Sequence, residues 1–260
     1  IDTEGQLVQI DGSPQLGEVG DLLMHDLPVL TTLNLPALGQ VDRDLVLNNL
    51  PVLANVNLNA LTTIGNNGEL TFDKAIANLD FLASLNTVGH VGARTGHLLI
   101  ADDQNVADTT GLNGLQSVGD DFILARLAGV QHLTFDQLGQ VGGTFEVTGM
   151  DGIPDFTDGN NQPLPLQTVG DTLRVQDNAH LLSFAGLENL TTVGLAIAVD
   201  NNPVLGTPQE DPNDSQNTLT EGILVDLGNR HAADQNGDLG LLALTLVGNP
   251  NPAIDGVQGD

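Results

Sequence analysis

The apolar positions of this chain fall into a phrase that keeps returning: a leucine, two small or polar residues, a β-branched residue, usually a glycine, then a short apolar strand. Its clearest copy is Leu190-Thr-Thr-Val-Gly194, which continues through Leu195-Ala-Ile-Ala-Val199 into Asp200-Asn-Asn-Pro203. Earlier copies begin at Leu16, Leu38, Leu61, Leu85, Leu115, Leu138 and Leu166, so successive starts differ by 22, 23, 24, 30, 23, 28 and 24 residues. A period in this range marks a solenoid, in which each copy is one coil that buries its apolar face against its neighbours.

Within each coil a three-residue strand follows the Val-Gly corner: Leu22-Leu-Met24, Leu45-Val-Leu47, Leu70-Thr-Phe72, Leu98-Leu-Ile100, Phe122-Ile-Leu124, Phe145-Glu-Val147, Leu173-Arg-Val175 and Ile197-Ala-Val199. Ile223-Leu-Val225 and Leu244-Thr-Leu246 extend the series. Side chains alternate across a strand, so the large first and third residues point inward and the middle one outward. A second series, Leu33-Asn-Leu35, Val56-Asn-Leu58, Leu133-Thr-Phe135 and Leu182-Ser-Phe184, makes another side, and the next Leu-x-x-Val a third. With turn-forming residues at the corners and no helical apolar spacing, the pattern predicts an all-β, right-handed parallel β-helix with three short strands per coil. About ten coils at roughly 4.8 Å would make a rod of roughly 50 Å.

The repeat argues for one domain over residues 1–260: a capping strand within 1–15, regular coils over 16–205, an acidic insertion at 206–218, and last coils with a tail over 219–260. The period breaks at residues 89–96, 151–165, 206–218 and 229–237, each rich in Gly, Pro, Asn or Asp and expected to project as a loop.

The Leu190 phrase, with the preceding Leu181-Leu-Ser-Phe-Ala-Gly-Leu-Glu-Asn189, resembles the receptor L-domain and related bacterial leucine-rich surface repeats. The resemblance covers about residues 16–205, and this chain lacks the cysteines of the receptor members. It implies a right-handed β-helical solenoid acting as a ligand-binding or cell-surface module rather than a catalyst.

Charge narrows the partners. Six Lys plus Arg against 34 Asp plus Glu give a formal charge of -28, which repels nucleic acid and anionic lipid. So much acid is tolerated in high salt, screened by divalent cations, or used for solubility. Cysteine is absent, which excludes disulfides and thiolate chemistry. No apolar run reaches the roughly 18 residues of a membrane helix. The first residue, Ile1, reads as that of a mature or trimmed product, and export is expected. Trp and Tyr are missing, which weakens a carbohydrate-stacking reading.

Catalysis finds little support. Glu146 stands in the middle of a core strand with Arg174 one coil on, and the pair reads as a cross-strand ion pair. His90 and His97 share an insertion with Arg94, but a metal site needs a further ligand. Calcium has a better case: Asp151, Asp155 and Asp158, and in a second loop Asp234, Asn236 and Asp238, place oxygen ligands at spacings that can wrap a hard cation. Thr245 stands where an EF-hand would carry its glutamate, and Asp, Asn and Gly are also plain turn formers.

The candidate partner surface is the outward column Leu23, Val46, Thr71, Leu99, Ile123, Glu146, Arg174, Ala198, Leu224 and Thr245, with Leu23, Val46, Leu99, Ile123 and Leu224 as its aliphatic members. An exposed aliphatic column needs a cover, either the chain's own insertions or another protein. Coil ends with unpaired strand edges give a second route to self-association, lateral or end to end. The threonine pairs beginning at Thr31, Thr62 and Thr191 suggest an ice-binding array, but adjacent threonines point to opposite sides. The expectation is an extracellular, non-enzymatic structural or adhesive surface protein, a filament or array subunit. The alternatives are a domain recognising a protein or glycan through its insertions and, more distantly, a polysaccharide-active enzyme.

Overall fold

The computed structural model describes residues 7–72 and 76–205, together with the backbone of a strand at 243–247. The chain winds as a parallel β-solenoid of about eight coils whose sides are three parallel sheets. The Leu-x-x-Val phrase supplies an eight-stranded side, one strand per coil: β2 (Glu18–Val19), β5 (Gln40–Val41), β8 (Thr63–Ile64), β10 (Thr87–Val88), β12 (Ser117–Val118), β14 (Gln140–Val141), β16 (Thr168–Val169) and β18 (Thr192–Val193). The core strands form a nine-stranded side: β3 (Leu22–His25), β6 (Leu45–Asn48), β9 (Gly68–Thr71), β11 (Leu98–Ala101), β13 (Phe122–Ala125), β15 (Phe145–Thr148), β17 (Thr172–Gln176), β19 (Ala196–Asp200) and β20 (Ala243–Val247). Nine strands at this spacing span about 40 Å. No helix among the described residues is long and apolar enough to cross a membrane.

Two corners explain the repeating phrase. After the β-branched residue the backbone of each coil lies directly on that of the coil before. A Cβ on Gly142, Gly170 or Gly194 would sit 2.1–2.2 Å from the carbonyl oxygen of the equivalent glycine one coil earlier, so glycine is kept there by close approach. At the far end of most of the described core strands the chain turns through a left-handed residue, with φ from 50° to 65° at Asp26, Asn49, Asp102, Arg126, Asp177 and Asn201; after β9 the buried Phe72 stands at this place instead. Asp and Asn tolerate this region best among residues with a side chain. Inside, the leucine and β-branched residues of the phrase are fully buried from the second coil through the seventh, as at Leu38, Val41, Leu138 and Val141. All seven phenylalanines are buried, and Phe122 stacks on Phe145 with ring centroids 5.5 Å apart.

The structure corrects three expectations. The coil count is about eight rather than ten: the strand hydrogen-bonded beside β19 is β20, with Ile197 opposite Leu244, while Ile223-Leu-Val225 lies outside the described residues. The third core strand is Gly68–Thr71, so Glu69 and not Thr71 stands in the outward column, opposite Val46 and Leu99. Gly68 takes the first inward place, where Leu98 and Ile64 fill the space a side chain would need, and the missing apolar residue hid the register. The second-strand series pairs as a sheet only in the first coils, as β1 (Gln9–Asp11), β4 (Thr32–Asn34) and β7 (Asn55–Asn57). Farther on, 3-10 turns at Asp80–Leu82 and Thr110–Leu112 occupy that side. Leu133 and Phe135 keep their inward alternation, but the Thr134 amide donates to the Thr109 hydroxyl at 2.7 Å instead of to a ladder carbonyl.

Candidate functional site

The outward column of the nine-stranded side reads Leu23, Val46, Glu69, Leu99, Ile123, Glu146, Arg174, Ala198, with Thr245 next in backbone register. Leu23 is 49 % exposed, whereas Val46, Leu99 and Ile123 are half-buried. Two aliphatic pairs therefore stand apart, parted by Glu69, whose carboxylate lies 3.1 Å from His97 Nε2. Glu146 and Arg174 are opposite each other and meet at 3.5 Å. Leu224 lies outside the described residues.

Much of the acid is committed to holding one coil on the next. At the head of the core strands, Asp21 accepts the Asp44 amide, Asp44 that of Asn67, and Asn67 that of His97 at 3.1–3.3 Å; Asp121 accepts the Thr144 amide at 2.6 Å. At the left-handed corner, Asn49 donates to Asp26 and Asn201 to Asp177, each at 2.6 Å, while Arg126 grips Asp102 with both Nε and Nη2. The Arg43 guanidinium bonds Asp21 and holds its carboxyl below the usual range, as Arg126 does for Asp102. Asn49 and then His25 lower Asp26. Every described arginine is paired with an acid: Arg43 with Asp21, Arg126 with Asp102 and Arg174 with Glu146 between neighbouring coils, and Arg94 with Asp171 at 2.9 Å across several coils. Deeper in, Asn178 donates to the Val147 carbonyl and the Asn202 side chain, both at 3.1 Å.

The insertion at 89–96 closes on itself. Gly89 and Gly96 lie back to back with positive φ, His90 and Thr95 form an antiparallel bridge, and Arg94 reaches over the glycine corner to Asp171. His90 and His97 are not joined there by further ligands. In the loop at 151–165, Asp155 accepts from the Thr157 amide and hydroxyl. Asp158 accepts the amides of Gln162 and Asn160, which hold its carboxyl low, and the Asp151 carbonyl accepts from His180 at 2.6 Å. Among the described residues no three His, Asp or Glu side chains converge as a metal-holding group. Asp234, Asn236 and Asp238 lie outside those residues.

One surface went unnoticed in the repeat. The outward residue of the eight-stranded side is the one just before each β-branched position. After Glu18 none of the described strands carries a charge there: the column runs Gln40, Thr63, Thr87, Ser117, Gln140, Thr168 and Thr192. Beside it an open groove of about 790 Å³ is lined by Gln116, Gln137, Gln140 and Gln167 together with Asp136 and Pro165. The signal was legible as the second x of every Leu-x-x-Val copy, which carries an acid only in the first. The threonine pairs divide their roles: the Thr31, Thr62 and Thr191 hydroxyls donate to the carbonyls of Val8, Gly39 and Gln167 in the preceding coil, at 3.0–3.1 Å, and only the second threonine belongs to a strand.

In comparisons with protein-family models, curated proteins and solved structures, nothing matches this chain.

Proposed function

We propose that the chain is an exported, non-enzymatic structural or adhesive surface component that associates end to end. The observation that carries this reading is the state of the first coil. Leu16, Val19 and Leu22 are only partly buried, whereas Leu38, Val41 and Leu45, one coil on, are fully buried. On the same end β1, β2 and β3 each pair on one side only, leaving three strand edges unpaired among the described residues. An open apolar end framed by strand edges is complementary to another β-coil, because such a coil offers edges at the same spacing and apolar residues at the same phase. The commitment of the described arginines and many acids to coil stacking leaves few groups for acid, base or metal work, in line with a module that presents surfaces. The resemblance to L-domain and bacterial surface repeats points to the same cell-surface role. The aliphatic pairs Leu23 with Val46 and Leu99 with Ile123 supply a lateral contact.

Light scattering and electron micrographs of the purified protein across a salt series test the proposal. Association is expected to grow as salt screens the -28 charge. Val19→Glu is expected to block end-to-end growth, and Leu23→Asp with Leu99→Asp and Ile123→Asp to block lateral growth with the fold retained. A monomer at every salt concentration, with or without added calcium, would count against assembly and leave recognition as the function.

A further inference from the structure

We propose that the outer face of the eight-stranded side, with the glutamine groove beside it, is a binding track for a neutral, linear glycan. The inference does not depend on assembly. It starts from the chemistry of the lining. An amide or hydroxyl both donates and accepts, a carboxylate only accepts and an ammonium only donates. A ligand matched to Gln116, Gln140 and Gln167 beside Ser117 and Thr168 must therefore offer donors and acceptors together without net charge, which is the property of sugar hydroxyls. These groups are available: among the described residues the side chains of Gln140, Gln167, Ser117 and Thr168 make no hydrogen bond, and Gln116 reaches Gln137 only at a long 3.4 Å.

Charge selects in the same direction. A chain of formal charge -28 carries here a row free of acids from Gln40 to Thr192, and the groove lining holds a single carboxylate, Asp136. Elsewhere the surrounding field disfavours polyanions, so a neutral polymer gains relative to an acidic one.

Geometry favours a linear ligand over a compact one. The row repeats one polar group per coil at about 4.8 Å, comparable to the length of one sugar residue in an extended chain, and it runs along the solenoid axis past the groove. All seven phenylalanines are buried and Trp and Tyr are absent, so no aromatic platform stacks a sugar ring. Affinity must then come from hydrogen bonds repeated along the track and must rise with the length of glycan engaged.

Affinity electrophoresis in gels containing a neutral β-glucan, a neutral mannan or xylan tests this, with polygalacturonate as the anionic control. At least one neutral polymer is expected to retard the protein, its longer oligosaccharides competing better than its shorter ones, while polygalacturonate does not retard it. Gln140→Glu with Gln167→Glu is expected to weaken retardation about tenfold or more, the loss of about two hydrogen bonds. Melting by circular dichroism should be unchanged, because these side chains make no internal bonds. Leu99→Asp with Ile123→Asp, on the other side of the solenoid, should bind as wild type, which separates the track from any lateral self-contact. Absence of retardation by all three neutral polymers, equal retardation by polygalacturonate, or undiminished binding by the glutamate variant would each overturn the proposal.

Discussion

Aspartate does more in this chain than charge its surface. Asp21, Asp44 and Asp121 take backbone amides of the next coil, and Asp26, Asp102 and Asp177 turn the corner in a left-handed conformation while accepting from Asn49, Arg126 and Asn201. Among the left-handed residues at that corner Arg126 is the exception, a long side chain where the others are Asp, Asn or Gly, and its two bonds to Asp102 compensate for a backbone region such a residue avoids. The pairing predicts an acid limb to stability. The Arg126 guanidinium keeps the Asp102 carboxyl below its ordinary value, and Asp21 and Asp26 are lowered likewise. A carboxyl lowered in the folded state stabilises at pH above its unfolded pKa, about 3.9, and that contribution is lost as pH falls through the folded value. The melting temperature should therefore drop as pH goes below about 4. Asp102→Asn should melt lower than wild type at pH 7 and show a shallower acid limb; parallel limbs would argue that the pair contributes nothing.

At the level of the elements, the alternation of apolar residues was enough to read a parallel solenoid, because large residues at first and third places can only face one way in each short strand. It was insufficient where a side chain was missing or substituted. Gly68 removed the apolar signal from β9, so the reading slipped two residues and put Thr71 in a column that Glu69 occupies. Thr109 replaced a ladder bond with a hydroxyl, so Leu133-Thr-Phe135 kept the alternation of a strand without becoming one. In the candidate loop at Asp151, Asp155 and Asp158, the spacing of oxygens does not by itself reveal that Asp155 accepts the Thr157 amide and Asp158 those of Asn160 and Gln162. The corner glycine makes a firm demand on sequence. Gly142→Ala would push a methyl to 2.1 Å from the Gly119 carbonyl, and is expected to cost about 1–3 kcal/mol or more, read as a fall in denaturation midpoint. Gly139→Ala, where a Cβ meets nothing within 4 Å, is the control and should be near neutral.

The molecule as a whole has no centre. Each strand bonds only to the coil before and the coil after, and its core is a row of buried residues rather than a closed cluster. Stability is then a sum over neighbouring coils. The partly buried Leu16, Val19 and Leu22 and the uncharged track from Gln40 to Thr192 are consequences of the same stacking, one belonging to the first described coil and the other to the coils that follow it. Nearest-neighbour stacking also bears on how such a chain can change in evolution. Duplicating residues 38–60, one turn of the phrase, should give a folded protein about 4.8 Å longer, measurable as an increased radius of gyration in solution scattering; a misfolded product would show that coils are not interchangeable. If the copy is accepted, length is a heritable variable that unequal crossing-over can adjust a coil at a time, without any new core having to be invented.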